Sequence, residues 1–251
     1  MKRKIWLYIT IYTGLLMLFS GCEKDEWVKI PDNNFLDKLI EEGVDENGDG
    51  RISTTEAESI TALNVFGIKI SDLTGIEEFV NLIDLDCSFN YLTVLDISNN
   101  TTLKKLDCTG NLLATLNVSN NTALSDLYCS YNKLATLNIS NNPILTSLHC
   151  TGNSLSSLNV SNDALLELDC NFNYLTTLDL SNIAGLTMLG CAHNQLTTLD
   201  VSNNTALSSM VIAEMPSLYK VCVWEVPFPP VGVEVYTVGS PNVYFTSDCS
   251  K

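Results

Sequence analysis

The sequence predicts a mostly β solenoid with a small helical N-terminal part, wound as a curved right-handed coil whose turns share one parallel β-sheet. Six cysteines carry most of this prediction, because they recur at intervals of 21, 21, 21, 20 and 21 residues in the pattern L-x-x-L-x-C-x-x-N-x-L: Cys87, Cys108, Cys129, Cys150, Cys170 and Cys191. A coil of about 21 residues cannot bury its own apolar side. Consecutive coils must therefore stack and share one elongated core.

Residues 1–21 have the features of a secretory signal. Basic residues 2–4 precede an apolar run from Ile5 to Phe19, which is shorter than the roughly 20 residues that a membrane-spanning helix needs. The small residues that follow resemble the cleavage box of bacterial lipoproteins, although Phe19 stands where that box usually has leucine. The resemblance implies cleavage before Cys22 and lipidation of Cys22. An ordinary cleaved secretion signal and a membrane anchor are the alternatives.

The charge of the chain restricts its partners. Without residues 1–21, 10 Lys and Arg stand against 29 Asp and Glu. Nucleic acid needs a basic surface that displaces counterions, so it is not an expected partner, and direct docking of the folded body on an anionic membrane is disfavoured as well. The acidic residues of the predicted tether, 22–30, resemble the export tag of Bacteroides-type surface lipoproteins, but a solvated linker would look the same.

A calcium-binding cap is predicted over residues 31–63. Pro31 begins a helix with Asp32 as its candidate cap, and a second helix is expected from Thr54 or Thr55 to about Leu63. Between them, residues 45–56 resemble the twelve-residue calcium loop of an EF-hand. The expected oxygen ligands are the side chains of Asp45, Asn47 and Asp49, the backbone carbonyl of Arg51, Ser53 directly or through water, and both carboxylate oxygens of Glu56. An Asp-rich turn that binds no metal is the alternative.

The repeats are expected over residues 60–210, and their first strands carry a chemically varied outward surface. The second Leu and the Cys of each pattern point inward, so the residues between them point out. Adjacent strands about 4.8 Å apart align these residues in two rows. The first contains Asp84, Lys105, Asp126, Ser147, Glu167 and Met188, and the second contains Asp86, Asp107, Tyr128, His149, Asp169 and Gly190. Of these, Asp86, Asp107, Tyr128, His149 and Asp169 are the candidate ligand-binding residues, with plain solvated surface as the alternative.

Three further rows follow from the repeat. The asparagine of each pattern, such as Asn132, is expected to bond open backbone groups where the chain leaves the strand. The six cysteines are expected to be buried free thiols, because parallel Cβ vectors place neighbouring cysteines poorly for disulfides. Just beyond the strand, large and small residues alternate as Phe89, Gly110, Tyr131, Gly152 and Phe172, followed by His193. These rings would either bind sugar or a protein partner, or pack over the glycines.

The remaining residues, 211–251, are expected to form a C-terminal β cap. Strands are predicted at Val221 to Val226, Val233 to Val238 and Val243 to Thr246. Cys222 and Cys249 stand outside the repeat and are expected to pair as a disulfide that fastens this cap over the last coil.

Together the repeats and the calcium loop resemble the leucine-rich-repeat surface lipoproteins of Bacteroides-type bacteria, with internalin-type repeats, over most of residues 30–215. The resemblance implies a monomeric protein that is lipid-anchored to the outer membrane of a Gram-negative cell, and that recognises an extracellular protein or glycan through its curved sheet. The alternatives are a structural spacer and, third, a glycan-active enzyme. The sequence shows no phosphate loop, catalytic triad or convergent metal site of an enzyme, so no catalytic residue is predicted.

Overall fold

The computed structural model describes residues 26–249 and has the predicted solenoid fold. Both the signal segment and Cys22 lie outside this stretch. One continuous apolar core runs through the coils, and the repeated leucines and cysteines are fully buried, as Leu106, Cys108 and Leu113 illustrate. None of the helices between residues 26 and 249 has the length and apolar character needed to cross a membrane.

The coils are joined by short parallel strands. The structure has β1 (Ala62–Asn64), β2 (Asp84–Asp86), β3 (Lys105–Asp107), β4 (Asp126–Tyr128), β5 (Ser147–His149), β6 (Glu167–Asp169), β7 (Met188–Gly190), β8 (Thr198–Asp200), β9 (Ser209–Val211), β10 (Lys220–Cys222), β11 (Glu234–Tyr236) and β12 (Tyr244–Thr246). The nine-stranded main sheet has the order β1-β2-β3-β4-β5-β6-β7-β9-β11. Equivalent positions of successive coils pair directly, for example Leu106 with Leu127.

In the predicted C-terminal β cap, residues 211–251, strands β10, β11 and β12 extend the sheets of the solenoid. Strand β11 pairs with β9 and continues the main sheet, while β12, β10 and β8 form a second parallel sheet. The strands are also shorter than predicted. Because each tail strand pairs in parallel with a strand of the preceding coil, the boundary at residue 210 does not correspond to a break in the main sheet.

The N-terminal end of the core is covered by two helices, α1 (Asn33–Glu41) and α2 (Thr54–Ser59). Asp32 caps α1 as predicted, since its Oδ1 accepts hydrogen bonds from the backbone N–H groups of Asn34 and Phe35. The expected end of the second helix at Leu63 is wrong. The chain becomes extended at Ile60 because residues 62–64 pair with β2 and bury Leu63, and tertiary pairing outweighs local helix preference.

The asparagines that follow the cysteines bond the backbone as predicted. In one coil, Nδ2 of Asn132 donates to the carbonyls of Cys108 and Cys129, and its Oδ1 accepts from the N–H of Leu113. Each asparagine thus ties two coils together. The six cysteines of the repeat are buried and not joined by disulfides.

Candidate functional site

The outer face of the main sheet is defined here as the outward residues of β2 to β7. The strand register places the two predicted rows side by side, so that Asp86 lies beside Asp107, and Tyr128 beside His149. Six carboxylates stand on this face against one lysine and one histidine. The lysine, Lys105, is 3.5 Å from Asp84. The face is therefore strongly acidic.

His149 is the centre of the one compact polar cluster among the predicted ligand-binding residues. Its Nε2 lies 3.7 Å from Oε2 of Glu167, and its Nδ1 lies 4.0 Å from Oδ2 of Asp169. The ring packs against that of Tyr128 with a centroid distance of 4.9 Å. The five predicted ligand-binding residues thus lie side by side on consecutive strands, with Tyr128, His149 and Asp169 at the cluster and Asp107 beside Tyr128.

Residues just past the strands hold Asp169 in place, and the sequence analysis did not select them. Oδ1 of Asp169 accepts hydrogen bonds of 2.6 Å from Thr151 Oγ1 and from Asn171 Nδ2. A Cβ added to Gly190 would lie 2.7 Å from Asn171 Nδ2 and 2.9 Å from Asp169 Oδ1. Gly190 therefore provides the space for this arrangement. The signal in the sequence was the departure of Asn171 and Gly190 from the residues at the same positions of other coils.

The cluster has the chemistry of a binding surface. The hydroxyl of Ser147 donates to Glu167 at 3.3 Å and that of Thr151 donates to Asp169. Within the described residues, no hydroxyl or thiol is hydrogen-bonded to His149, which a nucleophile activated by a histidine base requires. Carboxylates and an imidazole arranged in this way can accept hydrogen bonds from cationic groups.

A second candidate site is the loop between α1 and α2, where the structure brings together the predicted metal ligands. Asp45 Oδ1 accepts from the N–H of Gly48, and its Oδ2 accepts from the N–H of Gly50. Asn47 and Asp49 each accept from a backbone N–H two residues further on. Gly50 has a φ of 79°, the left-handed conformation that the sharp turn needs. The loop thus folds its side-chain oxygens inward.

Glu56 closes this loop and is buried. Its Oε1 accepts from the N–H groups of Glu46 and Asn47, while its Oε2 accepts from the N–H and hydroxyl of Ser53. Ser53 and Glu56 also form a capping box at the start of α2, a feature that the S-x-x-E pattern of residues 53–56 indicates. Burial opposes ionisation of Glu56, but these hydrogen bonds outweigh burial and lower its pKa.

The oxygen donors of the loop fit a hard cation. Three carboxylates, an amide oxygen and a hydroxyl come from the side chains at the predicted positions, which is the donor chemistry that Ca²⁺ prefers. Between residues 26 and 249, no ion pair involves Asp45, Asp49 or Glu56. Arg51 is turned away from them, with its guanidinium 5.4 Å from the ring centre of Trp27.

The chain before α1 pairs with the end of the same loop. The N–H of Val28 donates to the carbonyl of Ile52 at 2.8 Å, and the N–H of Thr54 donates to the carbonyl of Glu26 at 2.9 Å. Trp27 and Ser53 form an antiparallel bridge between these bonds. Residues 26–28 of the predicted tether are therefore an extended segment that pairs with the end of the candidate metal loop through a single bridge.

The alternating aromatic residues form an edge row, defined here as Phe89, Tyr131 and Phe172. Each ring packs over a glycine of the next coil or a neighbouring ring: a Cβ on Gly110 would lie 2.9 Å from Phe89, and a Cβ on Gly152 would lie 2.7 Å from Tyr131. Two of the rings therefore pack over the glycines, which is one of the two alternatives that the sequence left open. The rings are nevertheless 56%, 59% and 51% exposed. All three residues have a φ near 53°, which is uncommon for aromatic side chains.

Cys222 and Cys249 are joined by a disulfide bond, with their Cα atoms 5.6 Å apart. The bond connects β10 to the residues after β12. Together with Asp200 these cysteines form a cluster of metal-ligand type, but sulfur atoms in a disulfide bond are not thiolate ligands. The cluster is therefore a structural link.

Comparison with family models and comparison with known protein sequences each give a match to part of the chain. Residues 87–105 match the model of the LVIVD repeat. A stretch of 77 residues is 38% identical to Internalin J of Listeria monocytogenes, but it covers 31% of this chain and 8% of that protein. The activities and partners of the whole relative therefore do not transfer directly to this chain.

Solved structures extend the likeness to most of the described residues. The functional domain of InlJ from Listeria monocytogenes, which includes a cysteine ladder, is 27% identical with a TM-score of 0.57, and the match covers 85% of this chain and 61% of that domain. Internalin C2 from the same species has a TM-score of 0.66 at 18% identity, covering 86% and 94% of the two chains. The chain thus has a leucine-rich-repeat solenoid fold with internalin-like relatives.

Proposed function

We propose that this chain is an extracellular binding protein that recognises a cationic segment of a protein partner through the outer face of its main sheet. The observation that carries the proposal is the excess of six carboxylates over one lysine and one histidine on that face. Internalin-like relatives with the same solenoid fold support a protein-binding role.

The arrangement of charge favours a basic partner. Asp86 lies directly beside Asp107 on adjacent strands, and like charges in that position destabilise the sheet. A lysine or arginine of the partner would relieve this repulsion. The rigid backbone of paired strands keeps the carboxylates in place before binding, which reduces the entropy lost on association. Tyr128 and His149 add aromatic contact beside the acidic groups.

The test begins with an array of extracellular proteins probed with this chain in calcium-containing buffer. A partner found there is then measured against the triple variant Asp107→Asn, Tyr128→Ala, His149→Ala. We expect its Kd to rise at least a hundredfold, because the variant removes a charge and two rings at one site. Binding should also weaken as salt rises, since it depends on opposite charges.

Asp96→Asn is the matched control for the loss of one negative charge. Asp96 lies outside the strands, and other coils have asparagine at the same position, as Asn117 and Asn138 show. This control should bind the partner as the wild type does. Unchanged affinity of the triple variant, or no partner on the array, would contradict recognition by the outer face and favour the spacer function.

We also propose that the loop of residues 45–56 binds Ca²⁺ as a structural ion, with a Kd of about 10⁻⁵ to 10⁻³ M. Asp45, Asn47, Asp49, Arg51, Ser53 and Glu56 would supply the oxygens. An ion held here would neutralise the buried carboxylate of Glu56 and fix the two helices that cover the core. It would stabilise the fold by about 2.7 kcal/mol at a free concentration of a hundred times the Kd.

Thermal unfolding with and without calcium tests this site. Calcium should raise the Tm of the wild type, and a chelator should reverse the rise. In Glu56→Gln, glutamine can keep the capping box but lacks the charge, so calcium should no longer shift the Tm. Asp37→Asn, at an exposed position of α1, is the control and should respond as the wild type does. An unchanged wild-type Tm would remove the calcium proposal.

Lipidation of Cys22 is proposed to anchor the protein to the outer membrane of a Gram-negative cell. The basic residues at the start, the short apolar run and the small residues before Cys22 are features of a lipoprotein signal, and they support lipidation at this cysteine. Incorporation of labelled palmitate and sedimentation with membranes should both be lost in Cys22→Ser. Retention of the label in that variant would refute the assignment of the modified residue.

A further inference from the structure

We propose that the edge row of Phe89, Tyr131 and Phe172 binds a neutral, linear, β-1,4-linked glycan that lies along the solenoid. This surface is separate from the outer face and does not depend on the protein partner proposed above. It rests on three observations: the spacing of the rings, their exposure, and the absence of Asp and Glu from the five residues that follow each repeat cysteine.

The spacing of the edge row is two coils. Neighbouring strands are paired in register from β2 to β7, so equivalent residues recur about every 4.8 Å and the rings about every 9.6 Å. Successive sugars of a β-1,4-linked chain are turned over relative to each other, so the same sugar face recurs once per disaccharide. The length of that disaccharide is close to the spacing of two coils. Gly110 and Gly152 carry no side chain, and the rings of Phe89 and Tyr131 pack over them, so no bulky side chain stands between one ring of the row and the next.

The rings are presented for contact. More than half of each aromatic side chain in the edge row is exposed. Tyr91 and Tyr174, two residues beyond Phe89 and Phe172, are 54% and 55% exposed and widen the aromatic surface. An aromatic ring with one side packed on the protein and the other side open can stack on the C–H face of a sugar.

The charge of this edge differs from that of the neighbouring outer face. The five residues after each of the six repeat cysteines contain no Asp or Glu, and Lys133 is the only Lys or Arg among them. The chain as a whole has 29 acidic residues. An aromatic strip without acidic groups, beside a strongly acidic sheet, suits an uncharged polymer better than the basic protein segment that the outer face would select.

The test uses the full chain in mild detergent, with cellohexaose as the probe and calorimetry as the measurement. Maltohexaose, its α-1,4-linked isomer, has the same composition but a different shape and should not bind. Cellobiose reaches only one ring, so its affinity should be at least tenfold lower than that of cellohexaose. The affinity should not change between low and high salt, because no charged contact is involved.

Tyr131→Gly is the variant that tests the row itself. The chain already has glycine at this position in alternate coils, at Gly110 and Gly152, so the backbone conformation is permitted. We expect a loss of affinity of about 3- to 10-fold. Tyr131→Phe should bind cellohexaose like the wild type, and Tyr219→Ala, an exposed tyrosine outside the row, should have no effect.

Each of the following results would overturn the proposal: no heat of binding at millimolar cellohexaose, equal binding of maltohexaose, or unchanged affinity in Tyr131→Gly. Circular dichroism and the Tm of each variant verify that it is folded. The chain could instead fail to bind cellohexaose but bind a protein ligand, and lose that ligand in Tyr131→Gly. This result would assign the row to a protein partner and refute the glycan proposal.

Discussion

Two rows of buried asparagines run along the solenoid, and they differ in how completely their amides are bonded. Asn132, in the row after the cysteines, uses both its oxygen and its nitrogen. Asn121, in the row at the far turn, donates to the carbonyls of Ile97 and Asn100, but its Oδ1 has no hydrogen-bond partner. The same is true of Asn100, Asn142 and Asn204. A buried acceptor without a partner costs free energy, so the two rows should not contribute equally to stability.

Replacing each amide by an aliphatic side chain should separate the two rows. Asn132→Leu leaves several buried backbone groups without partners and should lower the free energy of unfolding by about 1 to 3 kcal/mol. Asn121→Ile also removes an unpaired oxygen, and the chain itself has a fully buried isoleucine, Ile183, at the same position of a later coil. We expect it to cost less than half as much as Asn132→Leu. Urea unfolding of both variants measures the difference, and equal losses would contradict it.

Asp32 links helix α1 to the first coil, and its ionisation should matter for stability. Burial raises its pKa, but hydrogen bonds from Ser71, Phe35 and Asp72 act in the opposite direction and leave the pKa lowered. A carboxyl whose pKa is lower in the folded state contributes stability above its unfolded pKa, and loses that contribution as the pH falls through its folded pKa. The effect of Asp32 should therefore be present at pH 7 and disappear in acid.

The comparison of wild type with Asp32→Asn isolates this effect. Glu56 has a pKa shifted in the same direction, so the wild-type curve alone would mix the two groups. At pH 7 we expect Asp32→Asn to be less stable by about 1 kcal/mol, a typical value for a weakened cap. The difference should shrink as the pH is lowered below about 4. Chemical unfolding across this range is the measurement, and a difference that does not change with pH would show that the charge of Asp32 is unimportant.

At the scale of elements, the extended segment of residues 26–28 and the loop of residues 45–56 act as one unit. The two backbone hydrogen bonds between them use the carbonyl of Ile52 and the N–H of Thr54, which flank the candidate ligand Ser53 in the sequence. Val28 is buried and packs close to Gly75, where an added Cβ would lie 3.0 Å from Val28 Cγ1. Ordering of this segment should therefore stiffen the loop and the start of α2.

A proline substitution tests the coupling. Val28→Pro removes the N–H that bonds Ile52, and we expect faster hydrogen exchange at the N–H of Thr54 and a lower Tm. Glu26→Pro is the matched control, because Glu26 takes part only through its carbonyl, which proline retains. The coupling would be refuted if both variants left the exchange of Thr54 unchanged.

The elements that the sequence predicted well are those in which one residue pattern serves one structural purpose. The interval of the cysteines and leucines specifies β2 to β7 and their register, because every coil repeats the same burial. The end of α2 was not predictable from local preference, since it depends on pairing with β2. The support of Asp169 by Asn171 and Gly190 was missed for a related reason: side chains from three coils meet there, and no single coil shows the pattern.

At the scale of the whole molecule, both ends of the solenoid core need protection, and the chain uses different devices for them. Helices α1 and α2 cover the first coil, where the rings of Phe35 and Phe79 pack with centroids 6.3 Å apart. At the other end the last strands are tied by the disulfide between Cys222 and Cys249. Closing a loop of this size is nominally worth about 3 to 4 kcal/mol in the chain-entropy model. The six repeat cysteines lie between these ends, and burial alone shields their thiols from solvent and reagents.

Thiol labelling distinguishes these two kinds of cysteine over the whole chain. Burial raises the pKa of all six repeat cysteines, and that of Cys129 and of Cys191 to about 12. The reactive thiolate is therefore scarce as well as inaccessible at pH 8. In a Cys22→Ser chain that was never reduced, iodoacetamide should label no cysteine of the folded protein and six after denaturation. Cys222 and Cys249 should become labelled only after a reductant is added. Fewer than six labelled cysteines after denaturation would mean that some of the repeat cysteines are oxidised, and labelling of the folded protein would mean that the coils open locally.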